Sequence, residues 1–198
     1  MATRVNTSAT AANKKHARHK TLDAREFKLM SILLNHQGEI SKRNTAEGEG
    51  LSPAFNWSGA PAEAEELVLL CEDLDSETEE HKVHWLVYRI PVSVRELPEG
   101  IPEGQQVKSV VGTPLQGRNS NGSLGYLPPS LTPFDDWHHY RFRLFALDTS
   151  LKNLQPGMSK QELEKLMKPH ILEAAELVGR YRRSNFKGIT PSYHEFRH

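Results

Sequence analysis

The sequence predicts a mainly β protein, an all-β sandwich with one or two short helices near its C-terminal end. Three observations carry that expectation. Residues 67–71 form a short apolar run that ends in acidic residues, residues 138–148 alternate apolar and polar, and one capped helical pattern begins at Ser159. The chain has 198 residues, room for one well-cored domain.

Residues 1–20 have almost nothing to bury and carry the basic cluster Lys14-Lys15-His16-Ala17-Arg18-His19-Lys20, so they read as a disordered basic tail. The domain is expected over 21–182. Residues 183–198 read as a second loose tail, with Phe186, Tyr193 and Phe196 as its apolar contacts. The run Leu67, Val68, Leu69, Leu70, Cys71 suits a strand covered on both faces. In the next strand, two-residue alternation places His84, Leu86, Tyr88 and Ile90 on one face and Trp85, Val87 and Arg89 on the other. Residues 112–137 are rich in Gly and Pro. Because Tyr126, Phe134 and Trp137 are buryable, this stretch is expected to be an ordered, site-forming loop. His138, Tyr140, Phe142, Leu144 and Ala146 then share an apolar face, opposite His139, Arg141 and Arg143.

The helix is signalled by a capping box, Ser159 with Glu162, followed by Leu163, Leu166 and Met167 at helical spacing. Pro169 ends or kinks it. Ile171, Ala174 and Ala175 then suggest a further turn or a second short helix, and residues 177–181 a closing strand.

Composition excludes several classes of function. Lys+Arg and Asp+Glu are 25 each, so there is no basic surplus for a nucleic acid backbone. No apolar run approaches the ~20 residues of a membrane span, and the start has no apolar leader. Cys71 is the single cysteine, so neither an internal disulfide nor a multi-cysteine zinc site is available. A cytoplasmic protein is expected.

Four side chains stand out as site candidates. Asp73 and Asp75 follow the apolar run two residues apart, and on an extended strand both would project to one side, roughly 6.5–7 Å apart. A solvated acidic turn explains that spacing equally well, since Glu72, Glu77, Glu79 and Glu80 surround them. His84 and His138 each open the apolar face of a strand, which suits either structural hydrogen bonding or ligand contact. Carboxylate and imidazole suit several divalent metals, yet no ligand-spacing motif is present, so no metal and no cofactor are expected. Ser120 and Ser123 lie in no nucleophile elbow, and Cys71 has acidic neighbours, so no catalytic residue is assigned.

The order of short motifs resembles the phosphatidylethanolamine-binding protein family, in particular its bacterial Raf-kinase-inhibitor-like branch. The matching pieces include Trp57-Ser58-Gly59-Ala60-Pro61, Asp73-Leu74-Asp75, and His84-Trp85-Leu86-Val87-Tyr88-Arg89-Ile90-Pro91. Later pieces are Gly117-Arg118-Asn119-Ser120, His138-His139-Tyr140 and the ending Glu176-Leu177-Val178-Gly179-Arg180-Tyr181. The resemblance covers roughly residues 25–182. It implies a two-sheet antiparallel sandwich and a non-enzymatic binding protein, with a small anion pocket at one end for phosphate-bearing ligands, a phospholipid head group or a nucleotide. The matched lining is Asp73, Asp75, His84, His138 and Tyr140, with the loop 112–129 as the remaining side. It also implies regulation of a kinase or protease, and it admits a homodimer. The alternative is a hydrolase or metal-dependent enzyme built on the Asp/His cluster.

This chain departs from the family pattern at two positions. Leu74 stands where the family usually has Pro, and Pro128 stands where a backbone N–H would face the anion; Arg118 or Asn119 are the substitute donors. An anion beside two aspartates needs compensation, so His84 and His138 are expected to act as imidazolium donors near neutrality. His139, on the opposite face, is expected to take no part.

Overall fold

The structure, a computed structural model, describes residues 26–32, 38–77 and 80–184. The expected tail at 1–20 and most of that at 183–198 lie outside the described residues.

Among the described residues, eight strands and one α-helix follow the sequence in the order β1 (Lys28–Met30), β2 (Phe55–Ser58), β3 (Glu66–Asp73), β4 (Lys82–Pro91), β5 (Glu96–Leu97), β6 (Leu115–Gln116), β7 (His138–Leu147), α1 (Lys160–Met167) and β8 (Ile171–Tyr181). Strands β1, β2 and β5 form a small sheet in that order. The larger sheet runs β6-β4-β3-β7-β8, and all the strand pairs in both are antiparallel.

β3 is central to the large sheet and is buried along its whole length, as its unbroken apolar run requires. Leu67, Leu69 and Cys71 face the small sheet in a core with Phe55, Trp57, Trp85, Tyr140 and Phe142. Val68 and Leu70 face outward. There they pack with Leu86, Tyr88, Phe145, Leu163 and Met167, so α1 covers the outer face of the sheet. The capping box fixes where α1 starts: the Ser159 side chain accepts from the Glu162 N–H, and the Glu162 carboxylate accepts from the Ser159 N–H.

α1 is anchored electrostatically as well. Glu72 is fully buried, with its Oε2 at 3.1 Å from Arg141 Nη2 and 2.7 Å from Arg143 Nη2, and its Oε1 at 2.7 Å from Lys160 Nζ. Burial alone would raise the Glu72 carboxyl. Lys160 and the two guanidiniums outweigh it and hold the group below its ordinary value.

Three expectations need correction. Residues 171–175 are not helical: Ile171–Tyr181 is one 11-residue strand, paired along its length with β7, and only a short 3-10 turn at Lys168–His170 follows α1. Pro169 removes an N–H from any continuing helix, and β7 offers the backbone a complete ladder instead. Phe134 is 96% exposed rather than buried, so of the three aromatics only Tyr126 and Trp137 help to tie the loop down. Tyr126 does so through its hydroxyl, which donates to the Asn44 carbonyl at 2.9 Å, and Trp137 through Arg180 and Arg182 guanidiniums over its ring.

The third correction concerns the faces of β4. Regular alternation fails there because the register with β3 slips twice. Cys71 opposes Trp85 while Glu72 opposes Val83, which leaves His84 as an extra residue; Leu67 opposes Ile90 while Leu69 opposes Val87, which sets Tyr88 and Arg89 against Val68. Leu86 and Tyr88 therefore belong to the outer cluster, whereas Ile90 joins the inner core. His84 leaves the face of Leu86 and meets the inward-facing Tyr140.

Candidate functional site

The site is built where β3 ends, β4 begins and β7 begins. Asp73 is the last residue of β3 and is 3% exposed. Its Oδ2 lies 2.8 Å from His138 Nδ1, and its Oδ1 accepts from the backbone N–H of Asp75 at 3.0 Å. That second bond is an Asx turn, and it diverts the chain at the end of the strand. The Leu74 N–H donates to the His139 carbonyl as the turn begins.

Because the extended conformation stops at Asp73, the two aspartates do not project to one side. Asp75 Oδ2 accepts from the His139 backbone N–H at 2.6 Å and contacts His139 Nδ1 at 2.9 Å. Slight burial pushes the Asp75 carboxyl up, but these His139 contacts and the His138 charge hold it below its ordinary value. The structure thus sorts two Asp–His pairs onto different sides. Asp73 with His138 faces inward, and Asp75 with His139 faces solvent.

His84 is 2% exposed. Its Nδ1 lies 2.7 Å from the Leu127 carbonyl, and the Leu127 N–H donates back to the His84 carbonyl at 2.7 Å. A carbonyl only accepts, so Nδ1 carries the proton and Nε2 is left as a lone-pair acceptor. Nε2 is buried without a hydrogen-bond partner. Burial pushes the imidazole down to about 4, with Lys82 and His138 adding to the effect against Leu127 and Asp73. The expectation that His84 is an imidazolium near neutrality is therefore corrected: in this apolar setting it is neutral.

Tyr140 joins the two histidines. Its ring meets His84 edge-on at 5.0 Å and lies over His138 at 6.5 Å with a 29° interplanar angle. The Tyr140 hydroxyl bonds to Asp73, and burial together with that carboxylate raises the phenol well above its ordinary value. Of the four side chains Asp73, His84, His138 and Tyr140, His138 reaches furthest to the surface, 19% exposed at its side chain.

Asn119 does not join them. Its Nδ2 donates to the Gly125 carbonyl at 3.1 Å, and its Oδ1 accepts from the N–H groups of Asn121 and Ser123. The amide is committed to shaping its own loop, and the Arg118 guanidinium likewise donates to the Gly122 carbonyl. Pro128, the departure noted in the sequence, packs over Gly50: a Cβ there would lie 3.1 Å from Pro128 Cγ, and Gly50 has a φ of +68°. The residue that sequence reasoning missed is Leu127. It acts through its backbone carbonyl, for which no side-chain signal exists. Among the described residues no three His, Cys, Asp or Glu side chains are grouped to hold a metal ion.

A two-sheet sandwich with an Asp–His–Tyr cluster at the end of its central strands is the frame of a β-sandwich binding protein. The chain belongs to the phosphatidylethanolamine-binding protein family, whose family model matches residues 31–182. It is 40% identical over 155 residues to a UPF0098 protein of Methanothermobacter thermautotrophicus, covering 78% of this chain and 98% of that one. A UPF0098 protein of Pyrococcus abyssi is 37% identical over 158 residues, covering 80% and 86%. Among solved structures, a phosphatidylethanolamine-binding protein homologue of Chlamydia trachomatis superposes with a TM-score of 0.70 at 33% identity, covering 80% of this chain and 98% of that one. Escherichia coli YBCL, described as a member of the mammalian family, gives 0.72 at 26% identity, covering 81% and 100%. No helix among the described residues is long and apolar enough to cross a membrane.

Proposed function

We propose that the protein binds small phosphate-bearing ligands, a phospholipid head group or a nucleotide, at the His84–His138–Tyr140 cluster, and releases them unchanged. The observation that carries this reading is the buried, unpartnered Nε2 of His84. A buried polar atom left unsatisfied costs about 1–3 kcal/mol, so the position favours a ligand that supplies a donor. A phosphomonoester with one proton left on oxygen, as in a nucleotide or a head group freed from its diacylglycerol, supplies it: its P–OH donates to His84 Nε2, and its anionic oxygen accepts from His138 Nε2 once that ring is protonated. Asp73 holds His138 by Nδ1 and so leaves Nε2 as the nitrogen free for a ligand. The two histidines then have unlike roles, one acceptor and one donor.

Inorganic phosphate and sulfate separate these roles, because sulfate carries no proton at neutral pH. Calorimetry near pH 7 is expected to show phosphate binding at least tenfold tighter than sulfate. Sulfate affinity should then rise toward acid, where His84 takes up a proton. Equal affinities, or phosphate binding unchanged in the His84→Ala/His138→Ala double variant, would overturn the reading. So would turnover of phosphoesters or acyl esters, with or without divalent metal. Regulation of a kinase or protease, a cytoplasmic location and a homodimer are the wider parts of this proposal. They are tested by inhibition assays with and without phosphate, by fractionation and by sedimentation.

A further inference from the structure

A second cluster lies at the other end of the same central strand. Glu66 opens β3 and Asp73 closes it, so the two stand at the ends of an eight-residue strand, about 23 Å apart. Glu66 lines a cleft of about 560 Å³ with Glu65, Arg89, Leu151, Lys152 and Asn153. That volume lies in the range of ordinary small-molecule sites.

Three features of this cleft point to a ligand. Glu66 is 4% exposed, and its Oε1 is buried with no hydrogen-bond partner. Arg89 and Lys152 both border the cleft, and among the described residues neither takes part in an ion pair. Arg89 also has a φ of +60° at the second slip of the β4 register, a left-handed conformation normally left to glycine. A bulge turns a side chain out of the ladder, and strain of this kind on an arginine gathers at sites that use the side chain.

We propose that this cleft is a second ligand site, which takes the carboxylate group of a small organic acid between Arg89 and the carboxyl group of Glu66. The planar guanidinium fork of Arg89 matches a carboxylate. Glu66 in its protonated form donates its O–H to the same carboxylate, and Lys152 adds positive charge at the rim. Glu66 suits that role, because burial raises its carboxyl to about 7 against the opposing pull of Arg89, the Leu151 and Arg89 backbone N–H groups and Lys152. The ionisable groups facing it are Arg89 on β4, Glu65 beside it and Lys152 on the loop after β7. Asp148 and His170 pair with one another at 2.8 Å at the root of that loop.

Acetate is the probe, since it stays ionised from pH 6 to 8 and the site at the opposite end calls for a ligand with a P–OH. Acetate titrated into the ¹⁵N-labelled protein is expected to shift the amides of Arg89, Leu151 and Lys152 saturably. Its affinity should fall roughly tenfold between about pH 6 and about pH 8, as Glu66 loses its proton. In Glu66→Gln, whose amide donates at every pH, the slope should vanish while binding remains. Arg89→Gly removes the cation and relaxes φ, so it should abolish the acetate shifts at an unchanged or higher unfolding midpoint. The proposal is overturned by any of four results: no saturable shift at these amides, shifts that survive Arg89→Gly, a pH slope that survives Glu66→Gln, or sulfate matching acetate in affinity at equal ionic strength.

Discussion

His138 and Asp73 stand 65 positions apart in sequence and 2.8 Å apart in space, and their contact orients the histidine of the proposed ligand site. Asp73 is able to do this because the Asx turn through Asp75 and the Tyr140 hydroxyl fill its other acceptor positions. Asp73→Asn keeps the shape but removes the charge and sets an NH₂ against donors. The expected cost is about 1.5–3 kcal/mol of stability, with weaker phosphate binding. Urea unfolding midpoints and phosphate calorimetry check it, and a neutral result on both would remove the pair from the site.

The buried His84 makes stability fall on the acid side. Its ordinary value is 6.5 and its folded value about 4, so between those pH values the unfolded chain binds a proton that the folded chain does not. Its contribution is therefore fully present above about pH 6.5 and is lost as pH falls toward about 4, by at most ~3 kcal/mol. Urea midpoints measured across that window should fall less steeply in His84→Gln than in wild type.

Glu66 works in the opposite sense. Its carboxyl is raised from 4.5 to about 7, so in that window the folded chain holds a proton that the unfolded chain has released. Stability declines as pH rises through the window, again by at most ~3 kcal/mol. Relative to wild type, Glu66→Gln should gain stability between about pH 5 and about pH 8. A constant difference across those pH values would contradict the raised value.

Glu72→Gln leaves Arg141, Arg143 and Lys160 gathered around a neutral group. Removing one partner from a buried charge cluster typically costs about 3–5 kcal/mol, and the lower figure applies here because the three cations keep partial access to water. The thermal midpoint should drop by several degrees, with α1 the first element to lose amide protection in hydrogen exchange.

His139→Ala serves as the control for the site. The side chain is half-exposed and, among the described residues, pairs only with Asp75, so stability should change by no more than about 0.5 kcal/mol. Phosphate affinity should not change. A loss of binding would mean that the solvent-facing pair belongs to the site after all.

What could be read in the sequence was whatever depends on local pattern. The run Leu67–Cys71 marked a strand buried on both faces, β7 showed its inner face by alternation, and Ser159 with Glu162 marked the start of α1. The misreadings came where long-range pairing overrides local preference. Ile171, Ala174 and Ala175 have helical spacing, yet β7 draws them into a strand. His84 changed faces because a register slip against β3 inserted one residue, and nothing in the residues 82–91 signals a slip. Asp75 turned away because Asp73 captured its backbone N–H, a contact as available to a solvated turn as to a site. The neutrality of His84 was equally hidden, since it depends on burial and on the carbonyl of Leu127, 43 positions away.

The placing of β3 between β4 and β7 has a consequence for how the chain assembles the Asp73–His84–His138–Tyr140 cluster during folding. β3 and β4 are neighbours in sequence and can pair as a hairpin, which brings His84 near the end of β3 early. β7 must close a loop of more than 60 residues before His138 and Tyr140 arrive, and such distant pairings form slowly. A nascent or truncated chain that ends before β7 therefore carries Asp73 and His84 without their partners. Phosphate binding, if it uses this cluster, reports completed assembly of the large sheet, and a ligand present during refolding stabilises only molecules that have passed that step.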